Sequence, residues 1–539
     1  MSPPGRPKET CAPLWGVASR VGERGGPFPH RFIVVIPVAD RPQHIRACLA
    51  SLLELQRRYP YAGEISVLIA DDSNDPDNID DTRALAEHYS ALGIPTMHFP
   101  PAEQADLVAA LNADIPRIVG NAPREKFSHK GQGVMRNIAY LKVAEMLQDM
   151  PNDNVLIWSI DSDQEFQVKI VTPEGDRNVY AVDFFHALDA IFSRTDALVL
   201  TGKVVGDPPV SPAVMTANFL EDVIGFLEQM HGVDPASACG HHQAETHRQG
   251  EAAYHDMADL FGFKSTAVTY QYRCTLDGTH TEAGCFAHFA ARLNSFFYGE
   301  HPTRVSYYLP DDALASVQPA RTVYAGNYVF RPAALKYFIP FAALRLRMSG
   351  PTLGRIVKSA IGPRFVSANL PMLHKRTVES GGQSEFRPGI ETQEQVIDMS
   401  GEFERQFYGD VMLFSTEKLA GECRLASADF VASTLDAVRA EMLEKYNTRQ
   451  RGILDRLATL EALLHDAGQW WNRSAEHAAA VADFAAFAAN VQRNFAADSA
   501  GHVRINSPES WGQWRTRLLE AIASYPADRA AWERVLCRT

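Results

Sequence analysis

No stretch of this 539-residue sequence is long and apolar enough to span a bilayer. The most apolar long segment, 332–348, is interrupted by Lys336, Arg345 and Arg347 and falls short of the roughly 20 residues a spanning helix needs. The first thirty positions hold Pro, Gly and charge but no apolar core, so no secretory signal is expected. Cysteines are few, seven in all, odd in number and scattered, with no Cys-x-x-Cys pair. That usage suits a reducing compartment better than a disulfide framework. A basic stripe is also lacking: the formal net charge is -13, which argues against a duplex nucleic-acid binder. Anionic substrates are not excluded, because a local cluster or a metal can reverse the field inside one cleft. Internal repeats are absent, and so are low-complexity tracts beyond an Ala-rich C-terminal stretch. A cytoplasmic protein without a transmembrane segment and without a nucleic-acid partner is expected.

What is present is enough apolar residue for sizeable cores, 46% of the chain, at a length that calls for two or three domains. Residues 1–30 read as a disordered or loosely attached lead-in. From Arg31, a continuous apolar run to Val38 predicts a buried strand, followed by helical spacing from Ile45 to Leu55 with Arg57 and Arg58 at its end. Strands are predicted again at 65–70, 96–99 and 154–160, with helices over 82–92 and 134–150 between them. Strand–helix alternation at this spacing predicts an α/β fold with a doubly wound, mostly parallel sheet. From Leu425 the composition shifts to Ala, Leu and charge. Ile453, Leu457, Leu460 and Leu464 form one helical stripe, and Phe484, Phe487, Val491 and Phe495 another. Ser507-Pro508 starts a further helix with a hydroxyl cap and proline at the first helical position. The expected division is 31–220, 221–424 with an enlarged insertion, and a helical domain over 425–539, the last for packing, partner docking or homo-oligomerisation.

Ligands of open α/β sheets bind beyond the carboxyl ends of the strands. Asp40 and Arg41, Asp71 and Asp72, and Asp161 and Asp163 all follow predicted strands, so three polar clusters distant in sequence are expected at one crevice. Asp161 and Asp163 emerge from the apolar run Val155–Ile160, where paired carboxylates are costly unless a cation neutralises them. Mg²⁺ or Mn²⁺ takes hard oxygen ligands and fills its remaining positions with phosphate and water.

Four signatures in order carry a family resemblance: Ile36-Pro37-Val38-Ala39-Asp40-Arg41, Asp71-Asp72-Ser73, Lys130-Gly131 through Arg136-Asn137, and Asp161-Ser162-Asp163. In these, residues 31 to about 220, and more loosely to 380, resemble GT-A fold glycosyltransferases, closest to the large family-two group. The resemblance implies a nucleotide-sugar site at Pro37, Asp40, Asp72, Lys130, Arg136, Asp161 and Asn327, the last on a strand under donor and acceptor. It implies a metal held by Asp161, Asp163 and His374, with the second Asp in direct contact. Asp72 would accept a hydrogen bond from a pyrimidine ring N–H. The implied partners are a nucleotide-diphosphate sugar donor and a small-molecule or glycan acceptor with a free hydroxyl.

Where inverting members of that group place a base, the stretch Arg345 to Arg355 holds no carboxylate. Either the reaction retains configuration, or the base is supplied by Asp311, Asp312 or Glu282. Arg347 and Arg355 are candidates to grip an anionic acceptor. The insertion also carries Cys239, His241, His242, His247, His255, Cys274, His280, Cys285 and His288. Their spacing matches no closed zinc pattern, so a structural or acceptor-loop role is expected. Two rival readings are a sugar nucleotidyltransferase, disfavoured because Pro37 to Pro42 contains no Gly, and a non-catalytic nucleotide-sugar-binding scaffold.

Overall fold

The computed structural model describes residues 29–538, apart from 112–114, 149–153, 173–174, 242–271, 277, 377–387 and 422–426. Most of the expected lead-in, as well as Cys11, His242, His247, His255 and Cys423, lies outside the described residues.

The chain opens with β1 (Arg31–Val38), β2 (Ile65–Asp71) and β3 (Thr96–Phe99), all parallel, with β4 (Val155–Ile160) parallel to β1 on its other side. A short β5 (Gln164–Glu165) follows, then the hairpin β6 (Val168–Thr172) and β7 (Gly175–Val179). The sheet is completed by β8 (Val199–Gly206), β9 (Gln318–Pro319), β10 (Asn327–Phe330) and β11 (Phe365–His374). Its order is β3-β2-β1-β4-β10-β8-β11-β5, with β9 on β11. Only β10, β5 and β9 run against the rest, so the mostly parallel, doubly wound α/β sheet with a GT-A-like plan is the one expected.

Alternation sorts the strand residues between two cores. Phe32, Val34, Ile36 and Val38 face one side, with α1 (Pro42–Arg58) and α2 (Pro76–Ala91), while Ile33 and Val35 face the other. Both helices begin with proline at the first helical turn, and Asp75 caps α2 by accepting from the Asp77 N–H at 3.0 Å. The second helix therefore starts six residues before the apolar periodicity suggested, at its capping signal. Next come α3 (Pro101–Leu111), the single turn α4 (Pro116–Val119) and α5 (Gln132–Gln148). Then follow α6 (Phe184–Arg194), α7 (Pro212–Met230), α8 (Glu282–Ala291) and α9 (Ser349–Ile361).

The C-terminal helices are α10 (Ser400–Gly421), α11 (Ala428–Leu464), α12 (Ala478–Phe495), α13 (Ala500–Asn506) and α14 (Pro508–Leu536). Ser507 caps α14, accepting from the Ser510 N–H at 3.2 Å. The stripe Ile453, Leu457, Leu460, Leu464 is buried, as is Phe484, Phe487, Val491, Phe495. Both belong to one apolar cluster that also contains Ile33 and Val35 of β1. The helices thus close one face of the sheet, and helical structure begins already at Ser400. No helix among the described residues is long and apolar enough to cross a membrane.

Candidate active site

A cavity of about 550 Å³ lies beyond the carboxyl ends of β1, β4 and β11. Register brings its walls together. Val38 pairs with Asp71, placing the segments after β1 and β2 side by side. Asn327 pairs with Ile160, which sets Gly326 beside Asp161, and the Asp161 N–H donates to the Gly326 carbonyl at 3.2 Å. His374 pairs with Gln164 across β11 and β5, which carries the imidazole onto Asp163.

Asp163 is buried, and its Oδ2 lies 3.4 Å from His374 Nε2 and 3.6 Å from Arg376. Its Oδ1 is buried without a hydrogen-bond partner among the described residues. Burial alone would raise the pKa of this carboxyl, but His374 and Arg376 hold it well below the ordinary value. His374 Nδ1 lies 2.6 Å from the Asp207 carbonyl. A carbonyl can only accept, so Nδ1 carries a hydrogen, and with the ring neutral Nε2 turns its lone pair toward Asp163. An orphaned carboxylate oxygen beside a fixed imidazole lone pair is a donor set that fits a divalent cation. Asp161 points elsewhere: Arg136, buried inside α5, donates to its Oδ1, as does Gln132 at 3.0 Å. The two carboxylates therefore face different surroundings, as alternation in an extended segment requires.

Asp72 is buried under the opposite wall. Lys130 donates to its Oδ1 at 2.5 Å and the Gly131 N–H to its Oδ2 at 3.1 Å. Burial lowers the pKa of Lys130, and the Asp72 charge opposes that shift. Pro37, Asp72, Gly131, Asp161, Asp163 and His374 line the cavity. A third wall is the segment before α9, where Phe341, Arg345 and Met348 all adopt positive φ (54°, 54° and 67°). Three non-glycine residues in that region is a concentration of backbone strain, and it presents Arg345, Arg347 and the N-terminus of α9 to the cavity.

Several expected site residues are placed elsewhere. Asp40, itself at φ 50°, turns its carboxylate to the backbone N–H groups of Asn74 and Asp75 and to His129, bracing the loop after β2. Burial opposes these bonds, yet together they hold its pKa below the ordinary value. Asn327 is not free for a sugar: its Oδ1 accepts from the Trp158 indole at 2.9 Å, and its Nδ2 donates to the Lys203 and Leu370 carbonyls at 2.9 and 3.0 Å. It ties three strands together instead. Arg355 is buried and bonded to Glu417, the Arg321 carbonyl and Thr322, away from the cavity, whereas Arg347 lines it and pairs with Glu402 at 3.3 Å. None of the three candidate bases reaches the cavity. Asp311 and Asp312 are exposed in a turn, where Asp312 accepts from the Ala315 N–H. Glu282 is buried at the start of α8, accepting from the Gly240 N–H at 2.8 Å and pairing with His241.

The carboxylate that does face the strained segment is Glu402 on α10, held between Arg347 and Arg405. Nothing local in the sequence marks it. Arg376, Gln132 and Tyr324 were likewise not singled out, although Arg376 directly follows His374-Lys375. The cysteine-rich insertion also differs from expectation: Cys239, Cys274, His280 and Cys285 converge, with ligand atoms within 4.8 Å of one another.

No protein-family model matches the sequence, and no curated protein does either. Among solved structures, the mannosyltransferase PcManGT from Pyrobaculum calidifontis in complex with GDP-Man and Mn²⁺ is similar at 10% identity and TM-score 0.34, over 95% of this chain and 89% of that one. S. aureus TarS 1-349 is similar at 12% identity and TM-score 0.31, over 86% of this chain and 90% of that one. The apo form of mouse xyloside xylosyltransferase 1 is similar at 13% identity and TM-score 0.19, over 38% and 58%. At such TM-scores these likenesses to glycosyltransferases carry no weight for activity, and the GT-A-like description of the chain rests on its own strand order.

Proposed function

We propose that the cavity binds a nucleotide-diphosphate sugar and transfers its sugar to a hydroxyl acceptor. The observation that carries this reading is the Asp163–His374 pair: a buried carboxylate with one unpartnered oxygen, against an imidazole whose tautomer is fixed, beyond the carboxyl ends of the central strands. Mg²⁺ or Mn²⁺ held by Asp163 and His374, with Asp161 alongside, would supply the positive charge that neutralises a departing diphosphate.

The chain's own residues account for the rest. Asp72 and the glycine-containing loop 131–133 form a wall where a nucleoside can sit, Asp72 accepting from a base N–H and Gly131 letting the backbone approach. In a chain of net charge -13, Arg41, Arg345, Arg347, Arg376 and Arg405 gather around this one cavity, the electrostatics of an anion site. Ser349 and Gly350, at the N-terminus of α9, border the same wall, where the helix dipole favours an anion. Arg345 and Arg347 then face the acceptor side, with Glu402 fixing the direction of Arg347.

A thermal-shift screen with UDP- and GDP-linked sugars, each with and without Mn²⁺ or Mg²⁺, tests the reading. Stabilisation that needs both nucleotide and cation is the expected result, because a ligand of the folded state alone raises its stability. No shift with any combination would overturn it. Binding without release of free nucleoside diphosphate in a transfer assay would leave only the scaffold function.

A further inference from the structure

The insertion between α7 and the strained segment contains a cluster that the cavity does not use. Cys285 Sγ lies 3.0 Å from Cys239 Sγ and 3.5 Å from Cys274 Sγ, and Cys274 Sγ lies 3.2 Å from His280 Nε2. Around a single tetrahedral zinc ion, legs of about 2.3 Å to sulfur and about 2.0–2.1 Å to nitrogen set ligand atoms about 3.5–3.8 Å apart. All four ligand atoms here fall within 4.8 Å of one another, a spread that suits one ion. The donor set, three thiols and one imidazole, is soft and closed, leaving no position for water or substrate.

The surroundings are built for ligation. His280 Nδ1 lies 2.9 Å from the Gly278 carbonyl, so that nitrogen carries the hydrogen and Nε2 turns its lone pair to the cluster. The N–H of His241 donates to Cys239 Sγ at 3.4 Å, and the N–H of Leu276 to Cys274 Sγ at 3.5 Å. In both cases the donor is two residues after the cysteine, so two chain segments turn around their sulfur in the same way and offer charge-stabilising donors to a thiolate. Backbone bonds lock the three ligand segments to each other: the Cys239 N–H to the His280 carbonyl at 2.9 Å, and the Cys274 N–H to the His241 carbonyl at 3.1 Å. Cys285 is fixed in the first turn of α8, whose next residue, Phe286, stacks on Trp471 of the C-terminal region at 5.2 Å between ring centroids.

We infer that Cys239, Cys274, His280 and Cys285 form a structural zinc site that clamps the insertion onto α8. The spacing hid it because the ligands come from three segments and only the fold supplies their convergence. Binding converts three thiols to thiolates and releases their three protons, with no change of oxidation state. Zinc here is independent of the cation proposed for the Asp163–His374 pair, and the site's failure would leave that proposal standing.

The test is elemental analysis of the purified full-length protein after dialysis in reducing buffer without strong chelator, in parallel with Cys274→Ser, His280→Ala and His374→Ala. About one zinc per chain is expected in the parent and in His374→Ala, with a loss of at least tenfold in the other two. Should those two variants fail to fold, the parent grown in Co²⁺ provides the second reading. Tetrahedral thiolate absorption bands support the site, and an octahedral spectrum overturns it. Zinc far below one equivalent, zinc lost with His374→Ala but retained in Cys274→Ser, or an intact mass two hydrogens light from a Cys239–Cys285 disulfide would each overturn it as well.

Discussion

His374 meets Asp163 at 3.4 Å with its other ring nitrogen donated to the Asp207 carbonyl at 2.6 Å. The second contact decides what the first can be. With Nδ1 protonated, a neutral His374 turns only a lone pair on the carboxylate, so the contact is stable when a cation lies between them or when the ring takes a second proton and donates it. Replacing His374 by Ala is expected to abolish the cation-dependent part of nucleotide binding. Losing hydrogen-bond partners behind metal ligands costs about 10–100-fold in affinity, so losing a ligand should exceed the upper end of that range. Titration calorimetry of nucleoside diphosphate with and without Mn²⁺ measures it, and an unchanged Mn²⁺ dependence would remove His374 from the metal site.

Asp72 and Lys130 are a buried ion pair as well as a nucleoside wall, and a loss of activity on mutation would not separate these roles. Asp72→Asn leaves the Lys130 ammonium buried beside a neutral amide. Breaking such a pair from one side costs about 3–5 kcal/mol, whereas removing both charges costs much less. The double variant Asp72→Asn, Lys130→Met should therefore regain most of the stability lost in Asp72→Asn while still failing to bind nucleotide. Urea melts and nucleotide titration of the three proteins distinguish the two roles. A double variant that binds normally would exclude Asp72 from base recognition.

Arg347 and Arg355 looked equivalent in the sequence and are opposites in the structure. Arg355→Ala leaves the Arg321 carbonyl and Thr322 without their donor, while the partly exposed Glu417 turns to solvent, so a stability loss of about 2–4 kcal/mol is expected. Arg347→Ala removes a half-buried cavity cation whose partner Glu402 keeps Arg405 at 3.2 Å. It should change the melting temperature little and weaken turnover. Thermal melts beside transfer assays read the contrast; equal destabilisation of both would refute it.

That contrast also shows which parts of the molecule were legible beforehand. The parallel strands and their order of appearance followed from apolar runs, and the capping pair Ser507-Pro508 marked a helix start, whereas Asp75-Pro76 was passed over and α2 was expected six residues late. Asp72, Asp161 and Asp163 were expected at one crevice because strand ends concentrate ligands in such sheets, and His374 from the family resemblance; all four line the one cavity. Asn327 was misjudged because a polar residue on a strand looks the same whether it faces a ligand or ties Trp158 to two neighbouring strands. Glu402 and the cysteine cluster were missed for a related reason: each acquires its role only from residues brought in by long-range packing. Spacing along the chain carries no trace of that.

Asp410 gives a pH dependence unrelated to the cavity. It is fully buried in α10, accepting from the Tyr446 hydroxyl at 2.5 Å and from Gln406 at 2.8 Å. Burial raises its pKa to about 7, more than those hydrogen bonds and the nearby arginines lower it. Between the ordinary carboxyl value of 3.8 and about 7, the folded chain keeps a proton that the unfolded chain has released. Stability therefore falls as pH rises through this window, because the folded state binds more protons. At about 1.36 kcal/mol per pKa unit the full loss approaches roughly 4 kcal/mol. Asp410→Asn has no charge to bury and lacks this loss. Its melting temperature should lie near that of the parent at pH 4.5 and progressively above it toward pH 8. Carboxylates with lowered pKa, Asp40 and Asp163 among them, tilt both proteins the other way at acid pH and cancel in the difference. Parallel melting profiles for the two proteins across pH 4.5–8 would show that Asp410 is ionised in the folded state and that α10 carries a buried charge.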